Sequence, residues 1–200
     1  MDIIIDIAFI IFSYLFGSIP TGVIISKYFF NVDIQKVGSG NIGATNVART
    51  LGKKVGILTL IGDALKGIIP IIIVRLYEPY PLNQTLIFFC SLSAFLGHLF
   101  PIYLKFKGGK GVATALGIFL MLFPFQTLLT AIVFFIIVYI SRYVSLGSIS
   151  ASIVMPILVS FRAQNTYQIA LSIIICLLII IKHKDNIHRL LEGNENKLKL

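Results

Sequence analysis

Charge is scarce in this chain: Asp, Glu, Lys and Arg make up only 12% of its 200 residues, about half the share found in a soluble domain. Together with 57% hydrophobic residues and a mean hydropathy of +0.95, that scarcity excludes a soluble globular domain and defines an integral membrane protein. Cysteine is nearly absent. Cys90 and Cys176 each sit in an apolar run with no second cysteine or metal-spaced histidine nearby, so they read as small buried apolar side chains and no metal cluster is expected. A basic leader is lacking too: Asp2 and Asp6 stand where a signal peptide would be positive, and no small-residue cleavage site follows, so the first apolar run is expected to be an uncleaved helix. Without internal repeats, low-complexity tracts or a soluble segment, residues 1–200 read as one membrane-embedded domain with a short tail.

A spanning helix needs about 20 apolar residues. Runs near 3–25, 55–76, 85–104, 112–141 and 147–182 reach or exceed that length. The last two are long enough for helical hairpins, with Phe123-Pro124 and Arg162-Ala163-Gln164-Asn165 as turn points. The expected fold is therefore an all-α polytopic bundle of about seven transmembrane helices, two of them short, with five as the smaller count. Seven crossings with the N-terminus outside put 26–54, 105–111, 141–148 and 182–200 on one side. Those segments hold every one of the 17 basic residues except Lys66, Arg75 and Arg162, so that side is cytoplasmic by the positive-inside rule and the C-terminus lies there. The formal charge of +9 is thus a topological signal, and no nucleic acid is expected as a partner.

Two glycine-rich basic segments face that side. Gly38-Ser39-Gly40-Asn41-Ile42-Gly43 matches a dinucleotide-binding fingerprint literally, but that site needs a strand–turn–helix unit, and Asp63 at the ribose distance lies inside an apolar span. Gly108-Gly109-Lys110-Gly111 lacks P-loop spacing. What survives is anion binding by closely spaced backbone N–H groups, with Ser39, Asn41, Thr45, Asn46 and Arg49 as further donors in the first segment. In the second, Lys110 precedes a helix starting near Val112, where dipole and charge both favour an anion.

Within the spans, Asp63 and Lys66 share a helix face three residues apart, and either charge left alone would cost on the order of 3 kcal/mol, so mutual pairing or a polar cavity is expected. His98 reads as a packed, hydrogen-bonded histidine. Ser145 and Ser148 occupy a cytoplasmic turn. In the tail, His183, Asn186 and Ile187 fall on one face of a helical turn at the membrane boundary.

Taken together, GSGNIGATNVART, GHLFPIYLKFKGGKGVAT and HKDNIHRLLEGNENK resemble the three signature segments of the bacterial acyl-phosphate-dependent glycerol-3-phosphate acyltransferase family, in the family's order and at similar separations. The resemblance implies a single membrane-embedded acyltransferase domain in the bacterial inner membrane, with its active site facing the cytoplasm. Its implied reaction moves a fatty acyl group from acyl phosphate to the 1-hydroxyl of glycerol 3-phosphate, giving lysophosphatidate and phosphate in the first step of phospholipid synthesis. It also implies that Ser39, Arg49, Lys110, Ser145 and Asn186 bind the phosphorylated substrates and that Gly40, Asn41, Gly43, Gly108 and Gly109 cradle phosphate through backbone amides. His183 is the catalytic-motif histidine, and Glu195, with Gly193 and Lys197, holds the tail. An acyl phosphate is already an activated mixed anhydride, so no cofactor or metal is expected, and direct attack without an acyl-enzyme is, with either His183 or a donor phosphate oxygen as base. A monomer in membrane lipid is expected. The competing class is an organic-phosphate transporter, which would want polar sites on both faces or an inverted repeat; a basic scaffold for anionic lipid leaves the glycines unexplained.

Overall fold

In a computed structural model of the chain, residues 3–77 and 83–198 are described. Asp2 of the leader argument and Lys199 of the charge count lie outside them. Among the described residues the regular structure is helical throughout, as ten α-helices: α1 Ile3–Gly17, α2 Thr21–Phe30, α3 Ala44–Leu51, α4 Lys53–Tyr77, α5 Gln84–Leu99, α6 Val112–Leu122, α7 Pro124–Ser141, α8 Val144–Ser160, α9 Thr166–Lys182 and α10 Lys184–Leu191. Short 3₁₀ turns occupy Ile34–Lys36 and Ile102–Leu104. The chain divides into two compact units, 1–121 and 122–200.

Helix boundaries follow local chemistry. Phe123 and Pro124 separate α6 from α7, with Pro124 at the first helical position, where its missing N–H is no loss. Asn165 opens α9 by accepting the Gln168 N–H at 3.1 Å, while the Gln168 side chain accepts the Gln164 N–H at 2.9 Å, a reciprocal cap. The run expected to cross as one span over 3–25 is instead a bent pair: Pro20 interrupts it, and α1 and α2 meet at 42°. A second bend, of 55°, separates α9 from α10 at His183. By length and composition three helices are long and apolar enough to cross a membrane (α4, α5 with its 3₁₀ extension, and α7), rising to five if each bent pair counts as one span. The apolar α6 and α8 are shorter.

In the first unit α5 packs against α1 and α4, and α3 lies along α4. Lipid offers no hydrophobic drive to helix association, so close backbone approach between small residues supplies the attraction. A Cβ on Gly117 of α6 would run into the Ala64 carbonyl of α4, and one on Gly67 of α4 into the Thr114 carbonyl of α6. In the second unit α8 packs against both α7 and α9, and Gly147 sits against Phe134 and Val138.

Gly117→Val therefore forces α4 and α6 apart. Its expected cost, about 1–3 kcal/mol for overpacking, should appear as a lower melting temperature of the purified protein in detergent, whereas Leu116→Val, at an exposed position of the same helix, should leave the melting temperature nearly unchanged.

Candidate functional site

The first glycine-rich segment is a turn folded around one side chain. Asn46, in the first turn of α3 and only 2% exposed, accepts the Ser39 N–H at 2.9 Å through Oδ1. Its Nδ2 donates to the carbonyls of Asn41 at 2.9 Å, Val37 at 3.0 Å and Ile34 at 3.3 Å. Gly38 has φ of +60° and no room for a Cβ beside Asn46 Oδ1, so glycine is required there twice over. Asn41 accepts the Gly43 N–H at 2.9 Å, an Asx turn leading into α3. Ile34, Ile42 and Val47 form an apolar floor beneath.

This geometry reassigns several of the donors. The N–H groups of Ser39, Gly40 and Gly43 are directed at Asn46, the Val37 carbonyl and Asn41 respectively. The amide cradle expected at Gly40 and Gly43 is thus used to hold the turn, because an irregular backbone must satisfy its own donors. Asn41 and Asn46 likewise spend side-chain oxygens on the turn. Ser39, Thr45 and Arg49 are left on the exposed side, with Thr45 and Arg49 one helical turn apart on α3.

The second segment also folds back on itself. Lys105 and Phe106 adopt left-handed φ of 52° and 63°, reversing the chain after α5, and the Gly109 N–H donates to the His98 carbonyl at 3.1 Å. Side chains at Gly108 or Gly109 would collide with the His98 carbonyl and ring. Their glycines are explained by close packing on α5, and the Gly109 amide is spent there. Lys110 follows, half-buried, immediately before α6.

Asp63 and Lys66 are 2% and 3% exposed and paired at 2.6 Å. His98 is buried beside them, Nδ1 lying 3.8 Å from Asp63 Oδ1, and Thr114 donates to the Asp63 carbonyl at 3.0 Å. Neither His98 nor Thr114 was singled out as functional by the sequence; the i+4 spacing from Lys110 to Thr114 was the available signal.

In the second unit Glu195 is a hub. Its Oε1 accepts from Ser145 Oγ and Asn186 Nδ2, both at 2.8 Å, and Oε2 accepts from Arg189 Nε at 2.8 Å. The tail reaches this position because Gly193, with φ of +73°, ends α10, and the Asn194 N–H returns to the Arg189 carbonyl at 2.8 Å. Leu198 then donates to the Arg142 carbonyl at 2.7 Å. Arg189 is the partner the sequence reading missed; its signal was the repeated spacing of three from His183 through Asn186. His183 is 3% exposed, with Nδ1 2.8 Å from the Ile179 carbonyl. A carbonyl only accepts, so Nδ1 carries a proton. Among the described residues no group of three or more His, Cys, Asp or Glu could hold a metal ion.

Burial pushes the Glu195 carboxyl up, but hydrogen bonds from Asn186, Arg189 and Ser145 and the Arg189 charge outweigh it and hold the group below its ordinary value.

A helical membrane protein with cation-bearing glycine turns is the class these observations define. The family profile described as "Glycerol-3-phosphate acyltransferase" matches residues 7–193. Relatives of that name from Syntrophotalea carbinolica and Fusobacterium nucleatum are 52% and 47% identical over 188 and 191 residues, covering 94% and 96% of this chain and 94% and 97% of theirs. Two solved structures of PlsY (YgiH), an integral membrane glycerol 3-phosphate acyltransferase, superpose with TM-scores of 0.90 and 0.88 at 42% and 41% identity. Each covers 97% of this chain, matching 96% and 95% of theirs; one is a glycerol 3-phosphate form and the other a lysophosphatidic acid form. The chain belongs to the glycerol-3-phosphate acyltransferase family, as a bacterial integral membrane enzyme.

Two outcomes are expected. Asn46→Ala removes four hydrogen bonds from the turn, the buried one to the Ile34 carbonyl among them, at a cost of about 1–3 kcal/mol for a buried group left unsatisfied, so thermal unfolding in detergent should show a drop well beyond that of Thr45→Ala. For Glu195, a depressed folded value means stability that is present above the unfolded value near pH ~4.3 and lost as pH falls through the folded one. Hydrogen exchange of the 193–198 backbone should stay slow at neutral pH and quicken in acid below that point, and Glu195→Gln should abolish the acid step.

Proposed function

We propose that this enzyme transfers an acyl group from acyl phosphate to the 1-hydroxyl of sn-glycerol 3-phosphate, releasing lysophosphatidate and inorganic phosphate. The supporting observation is the pairing of exposed or half-buried cations, Arg49 and Lys110, with internally braced glycine turns in a chain 97% covered by structures captured with the acceptor and with the acylated product. The reading places the reaction at the cytoplasmic face of the bacterial inner membrane, with the N-terminus outside and α6 and α8 counted as short crossings to make seven. The domain acts as a monomer, without cofactor or metal.

Both substrates bring a phosphate, so fixed positive charge is the first requirement. Arg49 and Lys110, aided by Ser39 and Thr45, meet phosphate oxygens in this proposal. Gly40, Gly43, Gly108, Gly109, Asn41 and Asn46 shape the turns that aim them. Ser145 and Asn186, aligned by Glu195, contribute polar contacts to substrate. The acceptor hydroxyl oxygen attacks the acyl carbon, the bond to the phosphate oxygen breaks, and phosphate leaves with the electron pair, its developing charge met by the cations. The hydroxyl proton passes to His183 or to a phosphate oxygen of the donor. Because the anhydride is already activated, no acyl-enzyme intervenes.

The assay is direct: purified protein in detergent, radiolabelled glycerol 3-phosphate and palmitoyl phosphate. Labelled lysophosphatidate should form, and Arg49→Ala and Lys110→Ala should each lower kcat/KM by about 10²–10³-fold. Equal rates with acyl coenzyme A would refute the donor assignment. His183→Gln should lower kcat by about 10²-fold and remove one limb of the pH–rate profile; an unchanged profile would move the base role to the donor phosphate and leave the transfer reaction standing.

A further inference from the structure

A buried ion pair costs desolvation of both members, and apolar side chains of similar volume serve stability at least as well. Asp63 and Lys66 on α4 accept that cost at 2–3% exposure, which calls for a use beyond mutual satisfaction. Their surroundings supply one. The Asp63 oxygen that meets Lys66 also lies 3.8 Å from His98 Nδ1, and the Asp63 backbone carbonyl takes the Thr114 hydroxyl at 3.0 Å. Three helices of the first unit, α4, the end of α5 and the first turn of α6, thus converge on one aspartate.

The convergence brackets Lys110. On its N-terminal side, the His98 carbonyl holds the Gly109 N–H at 3.1 Å and the His98 ring fills the space where a Gly109 Cβ would stand. On its C-terminal side, Thr114 is one helical turn away and tied to Asp63. Gly111, between them, has φ of +84° and packs against Phe95 and Leu99 of α5. The backbone carrying Lys110 is therefore referenced on both flanks to Asp63 and His98.

We propose that Asp63, Lys66 and His98 form a positioning network beneath the Gly108–Lys110 turn, setting where Lys110 presents its charge to substrate phosphate. The network touches no reacting atom. Its effect passes through Lys110, so this inference rests on the phosphate-binding role proposed for that residue. Small misplacements of a charge-bearing group at an active site have large kinetic effects, which gives the buried pair a function that packing alone does not.

A double-mutant cycle tests it with the detergent-solubilised enzyme: wild type, Asp63→Asn, Lys110→Gln and the double variant. Asp63→Asn should raise KM for at least one phosphorylated substrate about fivefold or more, with a smaller change in kcat. In the Lys110→Gln background the same substitution should add less than about twofold, because the charge it positions is gone. Equal, additive losses in both backgrounds would mean a general structural role and overturn the proposal. If palmitoyl phosphate supports no turnover by wild type, the donor assignment fails, and the same cycle is read from the rise in melting temperature produced by inorganic phosphate. There, coupling supports the network and additivity removes it. If Asp63→Asn does not fold, a second pair decides: Gly109→Ala should lose activity through collision with the His98 ring, and His98→Ala in that background should restore part of it. Absence of any recovery would overturn the network's contact with the turn.

Discussion

The Asn46 carboxamide is the interaction on which the first polar turn depends. An apolar chain has few side chains to spare for irregular backbone, and at a membrane boundary water satisfies only part of what a helix would satisfy internally. One side chain here serves one N–H and the carbonyls of Ile34, Val37 and Asn41. With those needs met inside the turn, Ser39, Thr45 and Arg49 are held on its outer side. Glu195 plays the corresponding part in the second unit, gathering hydroxyl, amide and guanidinium donors from α8 and α10. In each unit one buried polar residue gathers several hydrogen bonds, Asn46 from the backbone of its turn and Glu195 from side chains of α8 and α10.

This division of labour alters how the glycines are understood. Spacing alone suggested bare amides converging on an anion. Geometry shows instead that Gly38 makes room for Asn46, and that Gly108 and Gly109 make room for His98. At these positions glycine lets the backbone approach its supports closely.

Much of the helical layout was legible because its punctuation is chemical. Pro124 cannot continue α6, and Asn165 with Gln168 carries the signature of a cap. The Ser18–Pro20 break was less legible, since Gly17, Ser18, Pro20, Thr21 and Gly22 interrupt the apolar run only briefly. Helix α3 was hidden for the opposite reason. It is short and polar on one face, and its stability comes from packing Val47 on Ile34 and Ile42 rather than from its own periodicity. Residue types at the candidate site could be picked out from glycine and cation spacing, but their roles could not. Whether Asn46 points outward to a ligand or inward to Val37 depends on the path of the preceding turn. That Glu195 binds Arg189 depends on a reversal at Gly193 that brings residues six apart together.

Glu195 follows α8 and α10 in the sequence, which bears on the order in which the second unit is assembled. Synthesis runs from the N-terminus, so α8 and α10 emerge with Ser145, Asn186 and Arg189 before the carboxylate that joins them exists. Until residue 195 leaves the ribosome those donors have no common acceptor, and the second unit is a set of apolar helices without its polar clasp. The order of synthesis therefore places this polar clasp after the helices that it joins.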